Sequence, residues 1–406
     1  MLSRQPDTSA FDVESFVSEQ VSAIRQILGN EKAMIACSGG VDSTTCAALT
    51  YKAVGKNLVC IFIDTGFMRL KEPESVIQSI SNPPLSLPIE LVKARDIFMQ
   101  ALRGLKDAED KRKAFREAFY QVLADKARTE KCKFLVQGTI SADVIETKGG
   151  IKTQHNVLEQ IGIRSDEKYG FTLVEPLASL FKDQVRLVAK YLGVPPEISE
   201  RQPFPGPGLT VRCVEEILPN KLKTLKLATQ IVEKHLEVLK AEQYFAAVMD
   251  SHFESRGEAE GMKKTVANSL KIAEKQVRLS FLKSKATGIA KDLRVYGKIA
   301  ALDVMGEERE TCGKLVDKLA YLAIELTQKH PELTRVLYLV KESKTRARNL
   351  VAIRAIKTKD FMTAEIAPAP WITLLNIANE VLKKCPTVSA VYYDITPKPP
   401  GTIEFE

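Results

Sequence analysis

The chain has 406 residues, of which 45% are hydrophobic and 27% are charged, and its formal charge is +8. This length predicts two or three domains, and this mixture excludes disorder, collagen and low complexity as descriptions of the whole chain. No apolar run approaches the roughly 18 residues of a membrane span, and no basic flank followed by an apolar stretch opens the chain, so a cytoplasmic protein without a membrane partner is expected.

The cysteines and the distribution of positive charge exclude further classes of function. Seven cysteines form no CxxC pair and four histidines form no zinc-like cluster with them, so reduced thiols and no structural zinc are expected. Ten basic residues and only two acidic ones lie between Gly261 and Lys298. This concentration favours a local anion site, and because few aromatic residues accompany it, nucleic-acid binding is not expected.

Helical and strand patterns alternate over the first 200 residues. Residues 11–29 have apolar residues at helical spacing and stop at Gly29, which suits a helix C-cap. Short apolar runs at 34–37, 58–64, 133–139 and 172–177 follow, with helical stretches between them. The pattern predicts an α/β domain with a doubly wound, mostly parallel sheet, whose site lies at the carboxyl ends of the strands.

The second half has a different organisation. Residues 202–209 (QPFPGPGL) predict a rigid loop, and a helical stretch over 218–285 follows. Residues 298–340 and 350–395 resemble each other, since each reads as strand, helix, proline turn and strand, which predicts a duplicated small α+β unit. The expected segments are a catalytic domain (1–217), a helical connection (218–285), a first repeat (286–344) and a second repeat with a nucleotide-binding tail (345–406).

The strongest chemical signal is SGGVDS, which stands between a predicted strand and a predicted helix. Paired glycines let backbone amides turn inward as an anion nest, and the start of the helix adds its positive dipole end. Asp42 is suited to holding Mg²⁺ against the same phosphates. The predicted phosphate loop comprises Ser38, Gly39, Gly40, Val41, Asp42 and Ser43.

This loop resembles the signature of the N-type ATP pyrophosphatases, which implies an adenine nucleotide alpha hydrolase-like fold. VQGTISADVIET, IKTQHN, FKDQVR, RQPFPGPGLTVR and KPPGTIE resemble, in this order, the synthetase part of the GMP synthetase family. The resemblance implies a carbon–nitrogen ligase of purine biosynthesis that adenylates XMP at its C2 oxygen with MgATP. Ammonia then displaces AMP to give GMP, AMP and pyrophosphate.

The resemblance also assigns roles to residues. Lys152 and Lys182 would act with Asp42 on the ATP phosphates, and Asp143 and Glu146 are weaker candidates for Mg²⁺. Further contacts to ATP are implied for Asp64, Gly66, Gln137, Gly138 and Thr139. Contacts to XMP are implied for Arg201, Pro205, Gly206, Pro207, Gly208, Arg212, Arg294, Lys398, Thr402 and Glu404.

Several alternatives stay open at the level of sequence. Gln154, Gln202 and the sequence LEQIG depart from the family pattern, so a regulatory purine-nucleotide-binding paralogue remains an alternative, as does a tRNA thiolase or NAD synthetase type of pyrophosphatase. No glutaminase triad can be assigned, so ammonia would come from solution or from a separate glutaminase subunit. The duplicated unit allows either a homodimer or a pseudo-dimeric monomer.

Overall fold

The computed structural model describes residues 11–141, 143–144, 169–254, 260–290, 293–358 and 362–406. The chain divides into two compact units, one of Met1–Ala101 with Lys113–Gly206 and one of Leu102–Arg112 with Pro207–Glu406. The division therefore falls inside the proline-rich loop, ahead of the limit expected at residue 217. Among the described residues, no helix is both long and apolar enough to cross a bilayer.

In the described part of the first unit, five parallel strands form one sheet, in the order β3-β2-β1-β4-β5. The strands are β1 (Ala33–Ala36), β2 (Leu58–Asp64), β3 (Ile89–Lys93), β4 (Phe134–Val136) and β5 (Thr172–Val174). The accompanying helices are α1 (Val13–Leu28), α2 (Val41–Val54), α3 (Glu72–Ser81), α4 (Arg95–Ala101), α5 (Ala108–Glu130), α6 (Lys182–Tyr191) and α7 (Pro196–Ser199), although the first turn of α5 belongs to the second unit.

Burial explains why these strands read as continuous apolar runs. Ile35, Cys60 and Phe62 are each about 1% exposed, as expected for a parallel sheet with both faces covered. Fully burying a side chain such as that of Ile35 or Phe62 stabilises the fold by roughly 1.5–3 kcal/mol. Helix α1 ends at Leu28, and Gly29 is its C-cap as predicted, with a positive φ of 55° that favours glycine. The predicted parallel α/β sheet is thus confirmed.

Among the residues that the structure describes in the second unit, seven strands form a mixed sheet. Six follow the order β11-β10-β12-β9-β8-β7, and β6 pairs with β10. The strands are β6 (Gln243–Asp250), β7 (Val277–Ala290), β8 (Leu293–Val304), β9 (Leu333–Glu342), β10 (Asn349–Lys357), β11 (Glu365–Ile366) and β12 (Val388–Asp394). The helices are α8 (Pro219–Leu236), α9 (Glu260–Leu270), α10 (Glu308–Gly313), α11 (Val316–Lys329) and α12 (Trp371–Lys384).

The strand registers define the internal repeat. Strands β8 and β9 pair in parallel with Ile299 opposite Arg335, and β10 and β12 pair in parallel with Leu350 opposite Ala390. Strands β9 and β12 pair antiparallel with Tyr338 opposite Tyr393, so a pseudo-twofold axis relates the two halves at these tyrosines. The predicted order of strand, helix, proline turn and strand is therefore present twice.

The repeat is larger than the sequence indicated, and the prediction of a helical connection over 218–285 needs correction. Strands β6 and β7 occupy equivalent places, since β6 pairs antiparallel with β10 and β7 pairs antiparallel with β8. Helix α8 packs against α12, and α9 packs against α11. Each half thus contains a helix and a strand ahead of the predicted motif, and the first half is inserted between β6 and β10 of the second. In β7, exposed lysines alternate with buried residues. A period of two residues is typical of a strand and contradicts the expected helix.

Candidate active site

The predicted phosphate loop follows the carboxyl end of β1, next to β4, where the order of the strands changes direction. Helix α2 begins at Val41, and no side chain caps it at Gly40, so the N–H groups of its first turn lack intrahelical partners. Gly39 has a φ of 79°, which reverses the chain between strand and helix. The hydroxyls of Ser38 and Ser43 lie 3.0 Å apart. Backbone donors, two hydroxyls and a helix dipole therefore meet at one point, which is an anion-binding arrangement.

Lys182 places a positive charge at this loop. It is the first residue of α6, and its Nζ donates to Oδ2 of Asp42 at 2.5 Å. The Lys182 side chain is 41% exposed, so the ammonium group can reach an anion as well as Asp42. The pairing brings together two of the three residues predicted to be catalytic. The third, Lys152, lies outside the described residues, as do Glu146 and Gln154.

The segment from Gln137 to Thr139 follows β4 and lies against the start of α2. A Cβ atom on Gly138 would lie 2.9 Å from the carbonyl carbon of Asp42 and from the backbone nitrogen of Ser43, so only glycine lets the two segments approach this closely. The Thr139 hydroxyl donates to Glu175 at 2.5 Å. Gln137 donates to the hydroxyl of Tyr120 at 3.2 Å, and burial raises the pKa of Tyr120 to about 12, so that hydroxyl stays protonated.

Asp64 and Gly66 form the turn at the carboxyl end of β2. The amide of Gly66 donates to Oδ1 of Asp64 at 2.9 Å, and Nε of Arg95 donates to Oδ2 at 2.7 Å. Asp64 is therefore held on both oxygens and fixes the shape of the turn. Sequence reasoning missed Arg95, because it begins α4, beyond the next strand, with no motif around it.

Arg201 belongs to a cluster at the start of α3. It donates to Glu72 at 2.5 Å, and Arg69 also pairs with Glu72 at 3.3 Å. The Arg69 guanidinium lies 4.2 Å from the ring centre of Phe204 in the proline-rich loop. A nearly buried carboxylate thus orients both arginines, and Pro205 and Gly206 follow Phe204 in the same unit.

The predicted XMP contacts of the second unit include a paired arginine and glutamate. Arg212 ends the 3-10 helix Gly208–Arg212, which follows Pro207, and its fork donates to both carboxylate oxygens of Glu404 at 2.8 Å. The Arg212 guanidinium also lies 3.9 Å from the ring centre of Phe245. The Thr402 hydroxyl donates to the Thr287 carbonyl at 3.0 Å. Arg212, Thr402 and Glu404 therefore join one network around the segment 395–406, which we call the tail segment.

Lys398 and Arg294 are also placed in the second unit. The backbone of Lys398 pairs with that of Ala364, with N–O distances of 2.8 and 2.9 Å. Arg294, on β8, donates to Glu109 at 2.8 Å, and Glu109 also accepts from Arg112 at 2.7 Å. Arg294 is part of a surface ion-pair network, in which each exposed pair contributes roughly 0–1 kcal/mol.

The candidate Mg²⁺ residue has one carboxylate oxygen available. Oδ1 of Asp42 is buried and has no hydrogen-bond partner among the described residues, whereas Oδ2 accepts from Lys182. Within the same residues, no group of three or more His, Cys, Asp and Glu converges as a metal centre. Mg²⁺ is commonly held by one or two carboxylates together with substrate phosphates, so a single free carboxylate oxygen beside a phosphate loop fits that ion.

The fold and the loop together define a nucleotide-dependent α/β enzyme. A family model described as NAD synthase matches residues 12–237, and one described as GMP synthase C terminal domain matches residues 325–405.

Relatives match along nearly the whole chain. A subunit of the glutamine-hydrolyzing GMP synthase of Sulfurisphaera tokodaii is 42% identical over 397 residues, which cover 98% of this chain and 100% of the relative. The corresponding proteins of Saccharolobus solfataricus and Methanopyrus kandleri are 43% and 37% identical, with the same coverage. The chain belongs to the same family of GMP synthase subunits and is an ATP-dependent ligase of the GMP synthetase type.

Proposed function

We propose that the chain catalyses both halves of GMP formation from XMP. In the first half, the C2 oxygen of XMP attacks the α-phosphorus of ATP, and pyrophosphate leaves with the electrons of the broken P–O bond. In the second half, ammonia attacks C2, and AMP leaves with the oxygen while the nitrogen gives up its surplus protons. A purine carbonyl oxygen is a poor leaving group, and its adenylation makes the second half feasible.

The pairing of Lys182 with Asp42 at the phosphate loop is the observation that carries this proposal. Pyrophosphate gains charge as it leaves, and donors that are already in place at that point stabilise the transition state without reorganisation. In the proposal the amides of the loop and the hydroxyls of Ser38 and Ser43 bind the departing pyrophosphate. Lys182 neutralises part of its charge, and Gly138 permits the close packing that fixes the loop.

Asp42 would hold Mg²⁺ through its free Oδ1 atom. The ion would supply charge neutralisation of the phosphates. Lys182 keeps Asp42 in one orientation, so the free oxygen points in a defined direction. Lys152 stays a predicted catalytic residue on the strength of the family resemblance.

Most of the residues proposed to contact XMP belong to the second unit. Arg212, Arg294 and Lys398 offer positive charge suited to a nucleotide phosphate, and an arginine fork can donate to two oxygens at once. Glu404 would accept hydrogen bonds from sugar hydroxyls. In the structure Arg212 pairs with Glu404, so XMP would have to share or replace that contact. Contacts from Arg201 and the segment 205–208 are proposed as well.

Ammonia is proposed to come from a separate glutaminase subunit. The relatives are named as subunits of a glutamine-hydrolyzing enzyme, which supports this partner. A cytoplasmic location and the choice between a homodimer and a pseudo-dimeric monomer remain predictions.

Turnover with free ammonia tests the proposal. The purified chain is incubated with MgATP and XMP, with and without an ammonium salt, and GMP, AMP and pyrophosphate are measured. We expect equal amounts of the three products with ammonium, and a loss of roughly 10²–10³-fold in kcat/KM for Lys182→Met, a typical effect of removing one preorganised group. Lys190→Met is the control, because that lysine lies on the exposed face of the same helix.

The other possible outcomes of the turnover experiment lead to different conclusions. Tight XMP binding without product formation would identify a regulatory paralogue, and no XMP binding would refute the substrate. An undiminished rate in Lys182→Met would refute the role of that lysine while leaving the overall reaction intact.

A further inference from the structure

We propose that Arg335, Arg354 and Asp394 are positioning residues that hold the tail segment in its binding shape. The proposal rests on the proposed function, because it assumes that Lys398, Thr402 and Glu404 of that segment contact XMP. The three side chains do not themselves belong to the predicted site. They lie on β9, β10 and β12 of the mixed sheet, and all three are completely buried.

Arg354 binds the backbone of the tail segment at three carbonyls. Its guanidinium donates to Ile403 at 2.8 Å, to Thr402 at 2.8 Å and to Thr396 at 2.9 Å. It also donates to the carboxylate of Asp394 at 2.6 Å. A rigid fork that joins carbonyls on both sides of Lys398 determines where the turn between them lies.

Arg335 binds the same segment from the neighbouring strand. It donates to the Thr402 hydroxyl at 2.8 Å and to the Glu404 carbonyl at 2.5 Å, and it lies 3.4 Å from Asp394. A Cβ atom on Gly401 would lie 2.5 Å from its NH1 atom, so the glycine lets the segment pass close to the guanidinium. Arg335 also lies 4.8 Å from the ring centre of Phe405. The two arginines together contact every residue from Thr402 to Phe405.

The charge of this cluster indicates a purpose other than stability. Two guanidinium groups share one carboxylate, and Nε of Arg335 is buried without a partner among the described residues. Burial, together with the nearby Arg354, lowers the pKa of Arg335 to about 9, which still leaves it charged at pH 7. Apolar side chains of similar volume often stabilise an interior as well as buried ions do. The hydrogen bonds to the tail segment are what apolar side chains could not provide.

The internal repeat gives independent support. The registers of β8 with β9 and of β10 with β12 make Arg335 equivalent to Ala390. Four residues further along each strand, Asp394 is equivalent to Leu339 and Arg354 to Asp303. The equivalent positions of the repeat carry Ala390, Asp303 and Leu339, so the sheet forms these strands without a second copy of the trio. The trio occurs where the tail segment lies against the strands.

Steady-state kinetics on the full chain test the proposal, with Arg335→Met and Arg335→Lys as variants. A lysine keeps the charge but cannot bridge Thr402 and Glu404 as the fork does. We expect the KM for XMP to rise at least tenfold in Arg335→Met and less in Arg335→Lys, while the KM for ATP changes less than twofold. The amides of Thr287 and Ile289 donate to the Phe405 and Pro400 carbonyls at 2.7 Å, and that of Gly401 donates to the Pro397 carbonyl at 2.9 Å. Hydrogen exchange of these three amides should become at least tenfold faster in the methionine variant.

The matched control is Arg309→Met. Arg309, in α10, pairs at 2.7 Å with Asp303, a buried residue of β8 in the same sheet. None of the described contacts of Arg309 reaches the tail segment. This variant should melt at a lower temperature but keep the KM for XMP and the exchange rates of the Thr287, Ile289 and Gly401 amides. A purely structural role for Arg335 would give the same pattern as this control.

The possible results distinguish a failure of the positioning role of Arg335 from a failure of the proposed function. If both Arg335 variants fold and keep the KM for XMP within twofold of the parent, the positioning role is overturned. If Arg335→Met does not fold, Arg335→Lys decides by the same criterion. If the parent chain makes no GMP, the proposed function fails, and the exchange rates of the Thr287, Ile289 and Gly401 amides still decide whether Arg335 holds the tail segment.

Discussion

Gly138→Ala is a direct test of how the phosphate loop is built. Gly138 has no left-handed φ, so alanine can adopt its backbone conformation, and the effect must come from contact. The added Cβ would lie 2.9 Å from the Asp42 carbonyl carbon and the Ser43 nitrogen, and 3.0 Å from the Asp42 oxygen. Ordinary contacts begin near 3.4 Å, and backbone atoms cannot rotate away, so α2 and the segment after β4 must separate by about 0.5–1 Å.

The separation sets the magnitude of the effect. Overpacking of this kind destabilises a fold by about 1–3 kcal/mol, and a misplacement of about 1 Å costs roughly 10²-fold in rate. We expect kcat/KM for ATP to fall about 10²-fold, which corresponds to about 2.7 kcal/mol of transition-state stabilisation. Pyrophosphate release with MgATP, XMP and ammonium measures it. Gly261→Ala is the control, because nothing lies within 4 Å of its added Cβ.

A kcat/KM of Gly138→Ala within threefold of the parent value would refute this account of the loop. It would mean that the close approach of Gly138 to the start of α2 does not fix the position of the catalytic groups. A loss of activity with an unchanged KM for ATP would place the effect on chemistry and not on binding.

Three further predictions follow from contacts elsewhere. Gly288→Ala should raise the KM for XMP and leave the KM for ATP unchanged. The added Cβ would lie 2.5 Å from the Thr334 side chain and 2.9 Å from the Pro400 carbonyl in the tail segment, so the tail segment must shift; unchanged kinetics would contradict this. The seven cysteines should resist alkylation at pH 8 until the chain is denatured, because all of them are buried. Burial also raises the pKa of Cys132 and Cys213 to about 11, which leaves little of the reactive thiolate at this pH. Mass spectrometry counts the alkylated cysteines before and after denaturation. Hydrogen bonds from Lys384, and to a smaller extent from His235, lower the pKa of Glu380 to about 2. Its carboxylate therefore stabilises the fold above its ordinary pKa of 4.5, and this stabilisation is lost as the pH falls towards 2. The difference in melting temperature between the parent and Glu380→Gln should shrink over that range.

Much of the first unit could be predicted because its signals are local. The apolar runs at 34–37 and 58–64 coincide, within one residue, with β1 and β2, and the glycines of the phosphate loop mark the turn between strand and helix. The neighbours of the loop could not be predicted by the same means. Arg95 reaches Asp64 from 31 positions away, and Glu175 reaches Thr139 from 36 positions away, so only the order of the strands brings them together.

The second unit shows why a repeat can be recognised and its extent still be missed. The strand–helix–strand cores are adjacent in sequence and keep the same spacing, so their similarity is visible. The helix and strand that complete the second half, α8 and β6, precede the whole first half, so no fixed period connects them to β10. Their relation appears only in the sheet, where β6 borders β10 as β7 borders β8.

The asymmetry between the halves follows from the cost of burying charge. Two equivalent strand positions carry Arg335 and Ala390, and two others carry Leu339 and Asp394, so each half lacks part of the cluster that the other supplies. A complete cluster in both halves would place a second set of buried ions in the first half, where β9 leads directly to β10 and no tail segment is available to accept their hydrogen bonds. Unpaired buried charges cost several kcal/mol each. The pseudo-twofold sheet can therefore carry this cluster only on the side that the tail segment covers, which confines the proposed XMP contacts to one place in each chain.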